Sequence, residues 1–284
     1  MGGRFDGIVI VSDMDGTYIS KLEEGKKRNL DAIEYFKANG GYFTFASGRN
    51  LTTILEAVPN AEKVVNAPVI YCNGAGIYDL NKDREIATFP ISHELVYDIQ
   101  NSLAKLLSER EECRIKLSPI TNGVYFKHKS HSENARDKCK IAYMKDNLYE
   151  IMSAKEWEEH HIHKFIFGGE AEAVRNIRKY LDPIYGDMSA MSQASAAYCE
   201  CNGKGVSKAT GIANMLKLCF GDKKMTLCVV GDFDNDIEML KSSDYGFCPE
   251  NANDKVKAVC HKCLCHHNKG VIADVIEYID KNLI

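Results

Sequence analysis

The sequence has no long hydrophobic run and no excess of positive charge. No apolar segment approaches the roughly 18 residues that a membrane span needs, and residues 1–6 lack the apolar centre of a signal peptide. The myristoylation pattern also fails, because Asp6 stands where that pattern has Ser or Thr. We therefore expect a soluble, cytoplasmic protein that has no membrane partner.

The charged residues exclude a further class of partner. The 284 residues include 36 Lys and Arg against 40 Asp and Glu, a formal net charge of -4, and the basic residues are scattered along the chain. Because a nucleic-acid backbone is bound by concentrated positive charge, we expect no nucleic-acid partner. The sequence also has no internal repeat and no linker rich in Pro, Gly or Ser, and its 45% hydrophobic residues exclude a disordered or fibrous chain.

Eleven cysteines are present, but nothing around them resembles a disulfide framework. Such frameworks belong to short secreted chains, whereas Cys72 and Cys228 lie in apolar runs where Cys behaves as a small hydrophobe. The segment 260–267 has Cys and His in a spacing that suggests zinc at first sight. A structural zinc of the common kind needs a second pair some distance away, so we expect reduced thiols and disfavour zinc. The sequence leaves open whether residues 260–267 bind a metal or are redox active.

Short apolar runs rich in β-branched residues alternate with segments of helical periodicity. The strand-like runs stop at polar residues, as strands buried on both faces do; they are residues 8–11, 42–46, 69–72 and 226–230. The helical segments are residues 27–38, 51–57, 207–219, 235–241 and 271–281. This alternation predicts an α/β fold, a doubly wound parallel sheet with helices on both faces and a ligand site at the carboxyl ends of its strands.

The stretch from residue 84 to 201 breaks this rhythm. It contains longer helical segments at 93–110 and 171–181, and alternating strand-like runs at 123–126 and 163–167. We interpret it as an inserted α+β domain, which assigns residues 1–83 and 202–284 to the core.

Two carboxylates follow the first predicted strand, in Asp13-Met14-Asp15-Gly16-Thr17. Gly16 permits a turn that lets both carboxylates approach one cavity. An Asp in this place can attack phosphorus to form an acyl phosphate, while the second can protonate the leaving oxygen and later take a proton from water. An Asp-rich turn without chemistry has the same composition, so the pentapeptide alone does not decide.

A second acidic cluster, residues 231–236 (GDFDND), follows the strand 226–230 and opens a helix. Asp and Asn also cap helices, which is the simpler explanation of this cluster by itself. Two acidic clusters at two strand ends, however, would repel each other without a cation between them. Since Mg²⁺ prefers a few carboxylates together with waters and phosphate oxygens, the pair of clusters predicts a magnesium site.

Two further elements suit a phosphate group. Ser47-Gly48-Arg49 ends the second predicted strand, where a hydroxyl, backbone N–H groups and a helix start can hold phosphate oxygens. Lys208 lies near the start of a predicted helix, where the helix dipole disfavours a cation. Neighbouring phosphate and carboxylate groups would explain its place; the alternative is a solvated surface lysine.

These four elements, in this order, resemble the motifs of the haloacid dehalogenase (HAD) superfamily, and specifically its Cof-like branch of sugar-phosphate and cofactor phosphatases. The 13–17 pentapeptide is similar to the DxDGT signature, Ser47 to the second motif, Lys208 to the third and residues 231–236 to the GDxxND fourth. Asn73-Gly74-Ala75 and Asn251-Ala252 also resemble this branch. The insertion resembles a C2-type cap domain, which supplies substrate specificity in relatives.

The resemblance implies a role for each matching residue. Asp13 would be the nucleophile and a Mg²⁺ ligand, and Asp15 the general acid and base and a ligand through its backbone carbonyl. Asp232 would be the remaining protein ligand of the metal. The phosphoryl oxygens would be bound by Ser47, Gly48 and Lys208. The surroundings of the metal would be ordered by Asn235 and Asp236.

Substrate contacts are harder to assign. On the core side of the site we expect them from Arg49 and Asn73. Candidates in the insertion are Asn122, His128, Lys164 and Ser192, although polar residues such as these more often lie on an ordinary surface.

The resemblance implies a Mg²⁺-dependent phosphatase that hydrolyses sugar phosphates, or phosphorylated cofactors such as pyridoxal phosphate or flavin mononucleotide, through an aspartyl phosphate. A phosphomutase is one alternative, but that class usually has a smaller cap inserted after the first motif, and the insertion here follows Asn73. A non-catalytic protein that binds a phosphorylated metabolite is the other, and the presence of the catalytic aspartates and Lys208 argues against it. The sequence identifies neither the substrate nor the oligomeric state.

Overall fold

A computed structural model of the chain describes residues 2–95, 98–99, 102, 116–121, 124–126, 149–150, 161–168, 171–186, 189–195 and 198–284. The chain divides into two compact units. The core unit comprises Met1–Thr88 and Ser207–Ile284, and the insert unit comprises Phe89–Val206. Within the described ranges, every helix is too short or too polar to cross a membrane.

The core unit is built on a five-stranded parallel sheet with the order β14-β13-β12-β1-β2. Its strands are β1 (Ile8–Ser12), β2 (Tyr42–Phe45), β12 (Thr226–Val230), β13 (Tyr245–Pro249) and β14 (Lys262–Leu264). All five residues of β1 are buried, because β1 lies between β12 and β2 inside the sheet and has no edge exposed. The continuous apolar run that predicted this strand is therefore explained by burial on both faces.

Helices flank this sheet, which confirms the predicted α/β fold. They are α1 (Glu23–Ala38), α2 (Leu51–Ala57), α3 (Ala61–Val64), α5 (Lys208–Phe220), α6 (Ile237–Ser242), α7 (Asp254–Lys257) and α8 (Val271–Asn282). Helix α1 packs against α8. The buried Asn29 of α1 accepts hydrogen bonds from the backbone N–H groups of Ile272 and Ala273, at 3.0 and 3.2 Å, and so satisfies two donors at the start of α8.

The third predicted strand belongs to a separate sheet. Strand β3 (Val69–Tyr71) pairs antiparallel with β4 (Gly76–Asp79), which pairs antiparallel with β5 (Arg84–Thr88). An isolated parallel bridge between Ala46 and Ile70 is its link to β2. The chain reverses directly after β3 because Asn73 and Gly74 both have positive φ, 58° and 100°.

The insert unit contains a six-stranded sheet and a helix, α4 (Ala171–Tyr185). In sheet order its strands are β10 (Ser189–Ser195), β11 (Tyr198–Gly203), β9 (Lys164–Gly168), β6 (Lys116–Thr121), β7 (Val124–Phe126) and β8 (Tyr149–Glu150). Neighbouring strands are antiparallel except β7 and β8. Residue 123 of one predicted strand and most of the predicted helix 93–110 lie outside the described residues.

Candidate active site

Three strands of the core sheet end at the same level and bring the predicted motifs together. In the sheet register Ser12 lies beside Phe45 of β2 on one side and Val230 of β12 on the other. The backbone N–H of Asp13 donates to the Val230 carbonyl at 2.8 Å. Asp13, Ser47 and Asp232 therefore all lie within two residues of one line across the sheet.

The chain after β1 forms a wide turn, Met14–Tyr18, in which two residues depart from helical geometry. Asp15 is extended, with φ −79° and ψ 119°, and Gly16 has φ 77°. A Cβ atom on Gly16 would lie 2.3 Å from Oδ2 of Asp232. Glycine is thus required here twice, for its positive φ and for the close approach of the Asp232 carboxylate.

Lys208 is the first residue of α5 and is buried, with 2% of its side chain exposed. Its Nζ donates to Oδ1 of Asp13 at 2.6 Å and to Oδ1 of Asp236 at 2.7 Å. Burial lowers the pKa of Lys208, but the two carboxylates outweigh burial and hold the pKa above its ordinary value. Lys208 is therefore a charged group of the site, and the surface alternative is wrong.

Asp236 holds both Lys208 and the loop that follows β12. Its Oδ2 accepts hydrogen bonds from the backbone N–H groups of Asp232 and Phe233 at 2.9 and 3.1 Å. A helix was predicted over residues 235–241. In the structure a 3-10 turn over Asp234–Asp236 comes first, and α6 begins only at Ile237. Asn235 lies half-buried in that turn.

Three carboxylates of this site fit a divalent metal ion. One oxygen each of Asp13, Asp232 and Asp236 lie within 4.8 Å of one another. Burial raises the pKa of Asp13 well above its ordinary value; Lys208 lowers it, while Asp236 and Asp232 raise it further. Burial, and to a smaller extent the nearby negative charge of Asp236, raise the pKa of Asp232 to about 6. Hard oxygen donors with uncompensated negative charge are the ligands that Mg²⁺ takes.

The three carboxylates are not equally free to bind a metal. Both oxygens of Asp236 are hydrogen bonded, to Lys208 and to two backbone N–H groups. Asp13 gives one oxygen to Lys208, and Asp232 accepts from the Thr17 hydroxyl at 3.0 Å through Oδ1. Among the described residues, the Oδ2 atoms of Asp13 and Asp232 accept no hydrogen bond from a lysine, hydroxyl or backbone amide, so these two residues are the better ligands.

The loop after β2 lies beside the first motif. Ser47 is buried, and its Oγ accepts from the backbone N–H of Arg49 at 3.2 Å across Gly48. The backbone N–H of Asn73 donates to the Ser47 carbonyl at 2.9 Å, which places the turn after β3 next to this loop. Arg49 makes a bidentate ion pair with Asp15, with both N···O distances 2.7 Å.

Two contacts in the site were not predicted. Thr17 was noted only as a member of its motif, yet its hydroxyl binds Asp232. Asn251 follows β13, and its Nδ2 donates to the Gly16 carbonyl at 2.8 Å. The motif spacing gives a signal for Thr17, whereas the partner of Asn251 is 235 residues away in sequence and becomes visible only in the fold.

The candidates in the insertion are placed only in part. Lys164 is buried and forms an ion pair with Glu200 at 2.6 Å, within the insert unit. Ser192 lies on β10, and the structure describes only the backbone of that strand. Asn122 and His128 lie outside the described residues.

Comparison with known proteins assigns the family. Residues 10–276 match the family model of the haloacid dehalogenase-like hydrolases. Among characterised sequences, the chain is 25% identical over 282 residues to a 5-amino-6-(5-phospho-D-ribitylamino)uracil phosphatase of Escherichia coli, covering 96% of each chain. It is 23% identical over 246 residues to the HMP-PP phosphatase of Klebsiella pneumoniae, covering 87% of this chain and 85% of the relative.

Solved structures give the same fold. A HAD/COF-like hydrolase from Plasmodium vivax superposes with a TM-score of 0.76 at 20% sequence identity, covering 96% of each chain. The family model spans nearly the whole sequence and includes both acidic motifs and Lys208. The chain therefore belongs to the haloacid dehalogenase-like hydrolases and has the fold of their Cof-like members.

Proposed function

We propose that this protein is a cytoplasmic, Mg²⁺-dependent phosphatase that hydrolyses a small phosphorylated metabolite through an aspartyl phosphate on Asp13. The observation that carries the proposal is the buried contact of Lys208 with Asp13 and Asp236, beside a further carboxylate from Asp232. The enzyme is a phosphoric monoester hydrolase, in agreement with its family and its phosphatase relatives. We propose sugar phosphates, or phosphorylated cofactors such as pyridoxal phosphate or flavin mononucleotide, as the substrate class.

Asp13 is the nucleophile in this proposal. One oxygen of its carboxylate attacks phosphorus while the bond from phosphorus to the ester oxygen breaks, which leaves an acyl phosphate on Asp13. Asp15 donates a proton to the departing oxygen. Asp15 then takes a proton from water, and this water attacks phosphorus and releases inorganic phosphate, which restores the Asp13 carboxylate.

Positive and hydrogen-bonding groups hold the phosphoryl oxygens. Lys208 is preorganised for this role because two carboxylates fix its ammonium group in a buried position. The Ser47 hydroxyl and the backbone at Gly48 supply further donors. Asp13, Asp232 and the Asp15 carbonyl would hold Mg²⁺, which supplies positive charge for the transferred phosphoryl group. Asn235 and Asp236 would order the surroundings of this metal site without binding the ion.

The ion pair of Asp15 with Arg49 bears on the acid step. While both of its carboxylate oxygens bind the Arg49 guanidinium, each at 2.7 Å, Asp15 has no oxygen turned to the leaving group. An anionic substrate is an alternative partner for Arg49, so its arrival releases Asp15 for proton transfer. Asn73, buried beside Ser47, lies on the same side and contributes to the substrate contacts.

The test is phosphate release by the purified protein with Mg²⁺ across sugar phosphates, nucleotides, pyridoxal phosphate and flavin mononucleotide. Asp13→Asn keeps the shape of the side chain and removes the nucleophile, so we expect kcat to fall by at least about 10³-fold with an unchanged circular dichroism spectrum. EDTA should abolish wild-type turnover, and added Mg²⁺ should restore it.

Turnover that persists in both Asp13→Asn and EDTA would refute the mechanism. Asp234→Asn is the matched control, because Asp234 lies in the same acidic loop but its carboxylate binds Asn253 and Lys255 instead of the site. Folded, metal-loaded protein that releases phosphate from no compound would favour a mutase or a binding protein.

A further inference from the structure

Three side chains from the C-terminal part of the chain bind the backbone of the loop that carries the catalytic aspartates. Asn251 Nδ2 donates to the Gly16 carbonyl at 2.8 Å, and His267 Nδ1 donates to the Ile19 carbonyl at 2.8 Å. Asn268 Oδ1 accepts from the Lys21 N–H at 2.7 Å. We name residues 13–21 the catalytic loop.

The loop needs these external partners because its backbone is irregular. Asp15 is extended and Gly16 has φ 77°, so the helical pattern of hydrogen bonds is interrupted at these residues. A buried or half-buried carbonyl without a partner costs free energy. The side chains of Asn251, after β13, and His267, after β14, satisfy two such carbonyls.

Asn251 is the junction of this arrangement. Its Oδ1 accepts from the backbone N–H of His267 at 3.0 Å while its Nδ2 donates to Gly16. Its orientation is therefore fixed at both ends, since the amide oxygen must face the N–H and the amide nitrogen must face the carbonyl. Asn251 follows β13 and His267 follows β14, so the Asn251 side chain joins the carboxyl ends of these two neighbouring strands to the catalytic loop.

We propose that Asn251 is a positioning residue of this hydrolase, which fixes the catalytic loop against the Asp232 carboxylate; the inference rests on the proposed function for its catalytic consequence. The Gly16 backbone is so close to Asp232 that a Cβ there would lie 2.3 Å from Oδ2. The next residue, Thr17, donates to Oδ1 of the same carboxylate. Movement of the Gly16 peptide therefore displaces Asp232 as well as Asp13 and Asp15, and a misplacement of about 1 Å can cost 10²-fold in rate.

The chain offers a closely matched control in Asn253. Its side chain also makes two hydrogen bonds, donating to Asp234 Oδ1 at 2.8 Å and accepting from the Val256 N–H at 3.0 Å. It is half-buried like Asn251 and lies two residues away. Neither of its side-chain partners belongs to the catalytic loop.

The first measurement is independent of activity: amide hydrogen exchange of residues 16–21 in the metal-free full chain. We expect Asn251→Ala to speed exchange in this segment by at least about fivefold and Asn253→Ala to leave it unchanged. The second is turnover of p-nitrophenyl phosphate at saturating Mg²⁺. Asn251→Ala should lower kcat by about 10- to 100-fold with KM within twofold of wild type, and Asn253→Ala should change neither by more than about twofold.

Asn251→Asp keeps the oxygen that accepts from His267 and removes the donor to Gly16, so it should reproduce the loss in kcat if the alanine variant does not fold. Equal exchange and equal kcat in the Asn251 and Asn253 variants would overturn the inference. A wild type that turns over no phosphate ester, together with faster loop exchange in Asn251→Ala, would instead refute the proposed function and leave the role of Asn251 in holding the loop supported.

Discussion

Lys208 and the carboxylates around it depend on one another. A buried lysine without a partner would lose its proton, and a buried carboxylate without a partner would gain one. Asp13 and Asp236 bind Lys208, and one oxygen of Asp232 lies within 4.8 Å of an oxygen of each of them. The negative charge that Lys208 does not neutralise suits a divalent cation. Such a cation would in turn attract the anionic phosphate ester.

Gly16 gives a prediction at the scale of one atom. Gly16→Ala adds a methyl group 2.3 Å from Asp232 Oδ2 at a residue with φ 77°. We expect kcat to fall at least 100-fold, because the methyl group displaces the carboxylate, and the free energy of unfolding to fall by more than the about 1 kcal/mol that a positive φ costs alanine. Phosphate release and urea unfolding measure the two effects.

Gly7→Ala is the control that separates the effect of backbone strain from that of a steric clash with Asp232. Gly7 also has a positive φ, 80°, but the nearest atom to an added Cβ is 3.8 Å away. Gly7→Ala should therefore lose stability and keep its turnover; equal kcat in the two variants would show that the Asp232 contact does not matter.

The sequence predicts the residues of this site better than it predicts their contacts. Asp13, Asp15, Lys208 and Asp232 are recognisable because each motif is local and ends a strand or begins a helix. The bond from Thr17 to Asp232 joins residues 215 positions apart, and that of Asn251 to Gly16 joins residues 235 apart. No local pattern specifies such a pair, since it depends on which strands become neighbours.

Helices α1 and α8 show how one element can fix another. Arg28 of α1 forms an ion pair with Asp274 in the first turn of α8, where a carboxylate also opposes the positive end of the helix dipole. The backbone N–H of Cys265 donates to the same carboxylate at 3.2 Å. Asp274 thus links α1, α8 and the end of β14.

Asp274 predicts a pH-dependent contribution to stability. Burial raises the pKa of Asp274, but its bonds to Cys265 and Arg28 outweigh burial and leave the pKa below its ordinary value. Such a carboxyl stabilises the fold above its unfolded pKa, about 3.9, and this stabilisation is lost as the pH falls through the folded pKa. Asp274→Asn should therefore lower the free energy of unfolding by about 0.5–1 kcal/mol at pH 7.

Urea unfolding across pH checks this. The difference from wild type should shrink as the pH falls through the lowered pKa of the folded state. Asp254→Asn is the control, because Asp254 is an exposed acid in the first turn of α7. A loss for Asp274→Asn that is the same at every pH would exclude the ionised carboxylate as its cause.

At the scale of elements, the existence of strands and helices was easier to predict than their partners. The segment 51–57 coincides with α2, and β1 and β12 lie where apolar runs predicted them. Strand β3 was expected in the parallel sheet, but a short apolar run does not specify its neighbour. The tight reversal at Asn73 and Gly74 pairs β3 with β4, and β3 keeps a single parallel bridge, from Ile70 to Ala46.

The core unit is assembled from both ends of the chain. Asp13 comes from its first segment, and Asp232 and Lys208 come from the segment after the insert unit. A metal ion bound by Asp13 and Asp232, as proposed, would therefore link two parts of the sequence that are otherwise joined by packing and hydrogen bonds. Such a ligand stabilises the folded chain because it does not bind the unfolded one.

Mg²⁺ should raise the thermal unfolding temperature of the full chain by several degrees. At 100 times the dissociation constant the expected gain is about 2.7 kcal/mol, and differential scanning calorimetry with EDTA as the reference measures it. Asp232→Asn should abolish the rise. Asp234→Asn should retain it, because Asp234 binds Asn253 and Lys255 and no member of the site; an equal rise in both variants would place the ion elsewhere.

The register of β1 against β12, from Ile8 beside Thr226 to Ser12 beside Val230, has a consequence for protein synthesis. A ribosome adds about 5–20 residues per second, so β1 leaves the exit tunnel on the order of ten seconds or more before its neighbour has been translated. During that interval one edge of β1 has no strand to pair with, and Asp13 has neither Lys208 nor Asp232 beside it. Under the proposed mechanism the nascent chain would be catalytically silent until most of it has been made, and an interrupted translation product would hydrolyse no phosphorylated metabolite.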